Sequence, residues 1–239
     1  MENNQVQYIK PNYKILGRFV SECLKFIRTG QDISLAIKDF KAYFHYNREL
    51  VPPYLSSKPW IAHRAYLDLE SKIRPDMQVL EFGSGGSTLY LADKVASIYS
   101  IEHDEKWFTE IHAKLKAYPK VTHILVKPEK KQGKPEYASI NGLFSQGLDF
   151  EKYAHAADHL PNDSIDLLII DGRVRPQCLI NTVGKLKKGG ILIFDNAERE
   201  SYQNILQQVL SGWKVNRYAG VSVYDAFFST TDIYVKPDH

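Results

Sequence analysis

Residues 79–88 read VLEFGSGGST, a short apolar run that ends in a glycine-rich turn. This pattern is typical of a buried strand entering a turn that closely approaches a nucleotide-like ligand. Dinucleotide-binding proteins use G-x-G-x-x-G, and Gly83 and Gly85 match its first two glycines while Thr88 stands at the third. Because the third glycine is missing, ligands other than a dinucleotide must be considered.

The sequence around this turn predicts an α/β fold. From Met77 onward, short apolar runs alternate with helical stripes, which indicates βαβ units and a parallel sheet. Two further runs near the end are separated only by a loop, so they must pair antiparallel. The candidate strands are MQVLEF, ASIYSIE, THILVK, IDLLII, GILIFD, KVNRYAG and TDIYVK. We therefore predict a doubly wound, Rossmann-like, seven-stranded sheet over residues 76–239, mostly parallel with an antiparallel C-terminal strand.

Residues 1–75 have helical spacing throughout and are predicted to form an N-terminal helical cap or lid. Three apolar stripes at helical spacing support this interpretation. They are Ile15, Phe19, Cys23 and Phe26; Ile33, Ile37, Phe40 and Phe44; and Ile61, Ala65, Leu69 and Ile73. Trp60 and Tyr54 precede the third stripe, where they either close over a bound ligand or pack in the core.

Composition limits the class of protein. The chain has 239 residues, 44% of them hydrophobic and 25% charged, which is ordinary for a soluble globular protein. The first residues lack the apolar run of a signal peptide, and no stretch reaches the roughly 20 apolar residues of a membrane span, so we expect a cytoplasmic protein without membrane contact. A formal charge of +3 is weak for a nucleic-acid binder, so nucleic acid is not the expected partner, although residues 127–134 are locally basic.

Acidic residues end four of the predicted strands, at Glu81, Glu102, Asp171 and Asp195. In a parallel sheet these ends meet at one edge, where ligands bind. Glu102 follows the first glycine at the distance where an acid meets ribose hydroxyls, and His103 is a candidate for adenine contact or an ordinary edge histidine.

Glu81 separates two interpretations of the turn. A carboxylate two residues before Gly83 would repel a pyrophosphate, whereas it suits a ligand that carries an ammonium and a sulfonium. The chain here resembles the class I S-adenosylmethionine-dependent methyltransferases, whose motif E-x-G-x-G-x-G it matches with Ser87 at the last glycine. The form EFGSGGST is similar to a bacterial branch that includes small-molecule O-methyltransferases. The resemblance implies S-adenosylmethionine as cofactor, bound by Glu81, Gly83, Ser84, Gly85, Ser87, Thr88, Glu102, His103 and Asp171.

A second resemblance concerns catalysis. Catechol-type and sugar O-methyltransferases hold a divalent cation with an aspartate after strand four and an Asp-Asn or Asp-Asp pair after strand five. Asp171, Asp195 and Asn196 occupy these places and are the predicted catalytic and metal-binding residues, with Mg²⁺ as the expected ion. Val174 stands where the catechol family has its lysine base. The alternative is that Asp171 and Asp195 only cap the helices that follow them.

These observations predict a methyltransferase that acts on a hydroxyl of a small-molecule acceptor. Three alternatives stay open: an RNA or protein methyltransferase that uses the basic stretch, an NAD-dependent oxidoreductase, and a catalytically inert cofactor-binding partner protein. Neither the identity of the acceptor nor the oligomeric state follows from the sequence, and a homodimer is among the alternatives.

Overall fold

A computed structural model describes residues 10–48, 57–130, 133–139, 145 and 147–238. Within these residues, one seven-stranded sheet has the order β3-β2-β1-β4-β5-β7-β6. Its strands are β1 Gln78–Phe82, β2 Ser97–Glu102, β3 Val121–Leu125, β4 Ile165–Ile170, β5 Leu186–Asp195, β6 Lys214–Gly220 and β7 Ser229–Val235. Strands β1 to β5 are parallel, whereas β7 runs antiparallel to both β5 and β6. The predicted fold class, including its antiparallel C-terminal strand, is confirmed.

Helices cover both faces of the sheet. They are α1 Asn12–Arg28, α2 Ser34–Lys38, α3 Phe40–Arg48, α4 His63–Lys72, α5 Gly86–Leu91, α6 Glu105–Leu115, α7 Glu151–Ala154, α8 Arg175–Thr182 and α9 Glu200–Val209. The second apolar stripe of the sequence spans two helices, because the chain breaks between α2 and α3 at Asp39. The Asp39 carboxylate accepts hydrogen bonds of 2.8 and 2.7 Å from the Arg64 guanidinium of α4.

Both faces of the central strands are buried. Val79 of β1 and Leu167 of β4 face one apolar cluster, and their neighbours Leu80 and Leu168 face the other. A strand covered on both sides has no polar face, which explains why these segments read as continuous apolar runs.

The described part of the predicted cap belongs to the same core as the sheet. Phe19 of α1 and Tyr43 of α3 lie in one buried cluster with Val79, and the Phe19 ring centroid is 5.7 Å from that of Phe228 before β7. Residues 1–9 and 49–56 of the predicted cap, Tyr54 among them, lie outside the described residues. Among the described helices, none is both long and apolar enough to cross a membrane.

The strand order creates a crevice at one edge of the sheet. After β1 the chain builds β2 and β3 on one side, and it then returns to place β4 on the other side. The loops that leave the carboxyl ends of β1 and β4 therefore diverge, which is the arrangement that opens a ligand site in this class of sheet.

Candidate functional site

A cavity of about 750 Å³ lies at this edge, within the range of ligand pockets. Of the predicted cofactor residues, seven line it: Gly83, Ser84, Gly85, Ser87, Glu102, His103 and Asp171. Asp195 and Asn196 at the end of β5 line it as well. The structure thus brings together residues from four strand ends that are far apart in the sequence. Glu81 and Thr88, the other two predicted cofactor residues, do not line the cavity.

The glycine turn is shaped by close backbone contacts. Gly83 has φ +95°, and a Cβ atom there would lie 2.9 Å from the backbone of Asp171 and of Gly172. Only glycine fits such an approach, which lets the turn cross the end of β4. A Cβ atom on Gly85 would instead meet the Trp107 ring at 3.6 Å, on the wall of the cavity. The Trp107 indole N–H donates to the Ser84 carbonyl over 2.6 Å and so closes this side of the turn.

Glu81 holds the turn from behind. It is fully buried, and its carboxylate accepts hydrogen bonds from the hydroxyls of Ser87, Thr88 and Ser100, the last two at 2.5 and 2.6 Å. Burial raises the pKa of Glu81, and the three hydroxyls offset this in part. The carboxylate is therefore directed at the hydroxyls of its own chain, and direct contact with a ligand ammonium, which the sequence predicted, has no support in this geometry. Thr88 also accepts a 2.9 Å hydrogen bond from the Gly85 N–H at the start of α5.

Glu102 presents a carboxylate at the end of β2. Its Oε2 accepts hydrogen bonds of 3.0 and 3.1 Å from the Ser84 N–H and hydroxyl, and its Oε1 accepts those of 2.7 and 2.8 Å from the backbone of His103 and Asp104. Burial acts to raise the pKa of Glu102, but the His103 ring and the two backbone N–H groups outweigh it and lower the pKa. The Ser84 hydroxyl can rotate away from Glu102, so a ligand hydroxyl can take its place.

Arg175 stands between the two aspartates that the sequence assigned to a metal. Its guanidinium lies 2.8 Å from Asp171 Oδ1 and 3.2 Å from Asp195 Oδ2. It also donates to the backbone carbonyls of Asp171, Gly172 and Asp195, so all five of its N–H donors are used. The second Asp195 oxygen accepts a 2.6 Å hydrogen bond from the Thr231 hydroxyl.

The predicted magnesium site is not supported, because a buried cation of the chain itself occupies the place between the carboxylates. Asn196, the third predicted ligand, directs its Oδ1 to the Arg199 guanidinium instead. Within the described residues, no group of three or more histidine, cysteine, aspartate and glutamate side chains is placed to hold a metal ion. Arg175 stands four residues after Asp171 at the first position of α8, and Asp171 itself precedes the helix.

Asp171 keeps access to the cavity, with 24% of its side chain exposed. Burial raises the pKa of Asp171 well above its usual range; the Arg175 guanidinium lowers it, and the neighbouring Asp195 carboxylate raises it again. A carboxylate with a raised pKa beside a cavity is suited to accept a proton.

Apart from Trp60, the sequence did not predict the far wall of the cavity. Ser222 and Asp225, from the connection between β6 and β7, and Ser229, at the start of β7, lie there together with Trp60. The segment before α4 pairs with this connection, since the His63 N–H donates to Val221 over 2.7 Å and the Val223 N–H donates to Ile61 over 3.0 Å. Trp60 lines the cavity, which agrees with the interpretation that it closes over a bound ligand rather than packing in the core.

Comparison with known proteins rests on structure. No protein-family model matches the chain, and no curated protein matches it either. An rRNA methylase from Streptococcus thermophilus has a similar structure, with a TM-score of 0.51 and 13% identity over 74% of this chain and 96% of that one. The chain has the Rossmann-like fold of the methyltransferases.

Two other solved structures are also similar to this chain. A methyltransferase-like protein from Silicibacter pomeroyi has a TM-score of 0.48 and 21% identity over 72% of this chain and 84% of that one. The fibrillarin of Aeropyrum pernix, solved with natively bound S-adenosyl-L-methionine, has a TM-score of 0.45 and 14% identity over 68% and 67%. At such identities the likeness concerns the fold alone. Because an rRNA methylase is among these methyltransferase structures, the fold gives no support to the expectation that nucleic acid is not a partner.

Proposed function

We propose that this protein is an S-adenosylmethionine-dependent methyltransferase that acts on a hydroxyl of a small molecule. One observation carries the proposal: the glycine turn after β1 and the ionised Glu102 at the end of β2 line one cavity together with Asp171. When bound, S-adenosylmethionine supplies an electrophilic methyl group and leaves as S-adenosylhomocysteine.

The residues of the cavity fit this cofactor. Glu102 would accept hydrogen bonds from the ribose hydroxyls in place of the one from the Ser84 hydroxyl. The space beside Gly85 and Trp107 would admit the cofactor next to the turn. Acids outnumber bases on the wall, which favours a sulfonium cation over a pyrophosphate. The acids are Glu102, Asp104, Glu110, Asp171, Asp195 and Asp225, against Lys106, Arg173 and Arg175. This balance argues against the NAD-dependent alternative.

Asp171 is the proposed general base. Its carboxylate, held by Arg175, takes the proton of the acceptor hydroxyl as the oxygen attacks the methyl carbon. Arg175 keeps Asp171 and Asp195 in place without a metal, so the proposed reaction has no divalent ion in it.

The RNA alternative depended on the basic stretch 127–134. Two of its lysines form ion pairs, Lys127 with Glu105 at 2.7 Å and Lys134 with Glu151 at 3.1 Å. Their charge is partly neutralised by their own chain, which favours the small-molecule acceptor.

Formation of S-adenosylhomocysteine tests the proposal. The pure protein is incubated with S-adenosylmethionine and pools of hydroxylated metabolites, and with a structured RNA in a parallel arm. We expect turnover with at least one metabolite pool, and Asp171→Asn should lower it by a factor on the order of a hundred or more. Turnover with RNA alone would overturn the small-molecule assignment, and no turnover in either arm would contradict the proposed activity.

A further inference from the structure

A second cavity of about 310 Å³ adjoins the first. The two share Gly172 and Arg173, which follow β4, so a single ligand can extend from one into the other. The second cavity lies beyond the end of β4, between the starts of α8 and α9, and the short turn Pro135–Tyr137 borders it. It is too small for the cofactor and acceptor together, but it suits one part of a small acceptor.

Arg199 supplies a cation to this second cavity. One terminal nitrogen donates to the Tyr202 hydroxyl over 3.0 Å, the other donates to Asn196 Oδ1, and the guanidinium carbon lies 5.5 Å from the Tyr202 ring centroid. These contacts fix the group but use two of its five N–H donors. Among the described residues, no carboxylate forms a salt bridge with it, and the adjacent Glu198 interacts with it only through its charge. Arg175 differs in this respect, because its donors are all used.

The backbone around the cavity also favours an anion. Helix α9 begins there without a side-chain cap at its N-terminus, whereas the first turn of α8 contains Pro176, which has no N–H group, and Gln177, whose N–H donates to the Val174 carbonyl. Uncapped N–H groups and the positive end of the helix dipole attract negative charge. Val174, on the same wall, has φ 41° and ψ 43°, a left-handed conformation that is costly for a β-branched residue and is found mostly at functional sites. Glu136 is the acid on the rim, and it is exposed to solvent.

We propose that the second cavity binds an anionic group of the acceptor, a carboxylate or a phosphate, through Arg199. This inference rests on the proposed function and narrows its substrate class to hydroxylated acids or phosphate esters. With its anionic end at Arg199, such an acceptor passes Gly172 and brings its hydroxyl to Asp171 in the first cavity. Arg199 then determines which acceptor binds and takes no part in cofactor binding.

Binding of two simple anions tests the inference. Inorganic phosphate and acetate are titrated separately into the protein and into Arg199→Gln, with Arg28→Gln as a matched control that removes an exposed charge from α1. We expect saturable binding of one anion in the wild type and the control, weakened at least about tenfold in Arg199→Gln. Tighter phosphate binding would identify a phosphate ester, and tighter acetate binding a carboxylic acid. Arg199→Lys keeps the charge and should retain part of the affinity.

Equal affinity of Arg199→Gln and Arg28→Gln, or no saturable binding of either anion to the wild type, would overturn the inference. Thermal melts show that each variant is folded. S-adenosylmethionine is titrated into the same samples, and we expect its affinity to be unchanged by Arg199→Gln. If the wild type does not bind S-adenosylmethionine, the proposed function is refuted. The role of Arg199 is decided by the anion titration alone.

Discussion

Asp171, the proposed general base, is the single residue whose role is easiest to test. Asp171→Asn keeps the shape of the side chain but cannot accept the proton of the acceptor, so we expect turnover to fall by a factor on the order of a hundred or more. The affinity for S-adenosylmethionine should change little, because Glu102 and the glycine turn remain. Steady-state kinetics and a binding titration measure the two effects. Full turnover in this variant would show that another group is the base.

The pH dependence follows from the same carboxyl group. Its pKa is raised, mainly by burial, and only its ionised form accepts a proton. Turnover is therefore expected to fall as the pH drops through this raised value, well before the range of an ordinary aspartate at about 3.9. A pH–rate profile of the wild type measures this. A profile that stays flat down to that ordinary range would contradict the assignment.

Arg175 replaces the predicted metal ion, and two measurements follow. Excess chelator should leave turnover unchanged, because the guanidinium already holds both aspartates. Arg175→Met should lower the free energy of unfolding by about 3–5 kcal/mol, since it leaves buried carboxylates without their partner. Arg74→Met, at an exposed ion pair, is the control and should change stability by less than about 0.5 kcal/mol. Loss of turnover in chelator with recovery in magnesium would restore the metal mechanism.

The glycine turn between β1 and α5 is the element that shapes the proposed cofactor site, and its two glycines have separate roles. Gly85→Val places a branched side chain against Trp107, so we expect S-adenosylmethionine binding to be lost from a folded protein. Gly17→Val adds the same group at a position with nothing within 4 Å and serves as the control. Calorimetry and thermal melts measure binding and folding. Unchanged affinity in folded Gly85→Val would place the ligand elsewhere.

The elements themselves followed from local patterns. The apolar runs that became β1, β4 and β5 are short and flanked by turn residues, and the final hairpin follows from a connection too short for a crossover. The ion pair of Asp39, at the break between α2 and α3, with the distant Arg64 could not be predicted. Periodicity describes one segment at a time and contains no information on such long-range ion pairs.

The side-chain directions at the site could not be predicted for a similar reason. Glu81 turns to the hydroxyls of its own chain because β1 and β2 pair in a register that sets it beside Ser100. Arg175 reaches both aspartates from the first position of α8, next to the ends of β4 and β5. The register of two strands and the shape of a loop are tertiary properties, so the sequence predicted which residues meet at the edge but not how they pair.

At the scale of the whole molecule, the N-terminal helices share one apolar core with the sheet. Deletion of residues 1–56 would uncover Phe228 and the other apolar side chains on which α1 and α3 pack. We expect the shortened chain to aggregate, with strong binding of a hydrophobic dye, and size-exclusion chromatography measures this. If the helices were a detachable lid, the shortened chain would stay monodisperse with only a higher KM for the acceptor.

Calorimetric titration of S-adenosylmethionine and NAD is the most direct test that the cavity at the edge of the sheet is a methyltransferase cofactor site. We predict saturable one-to-one binding of S-adenosylmethionine, weakened by about 2 to 3 kcal/mol in Glu102→Gln, which loses charge-assisted hydrogen bonds to the ribose. Glu105→Gln on the exposed surface of α6 should bind normally, and NAD should give no binding. Saturable binding of NAD with no binding of S-adenosylmethionine would contradict this assignment.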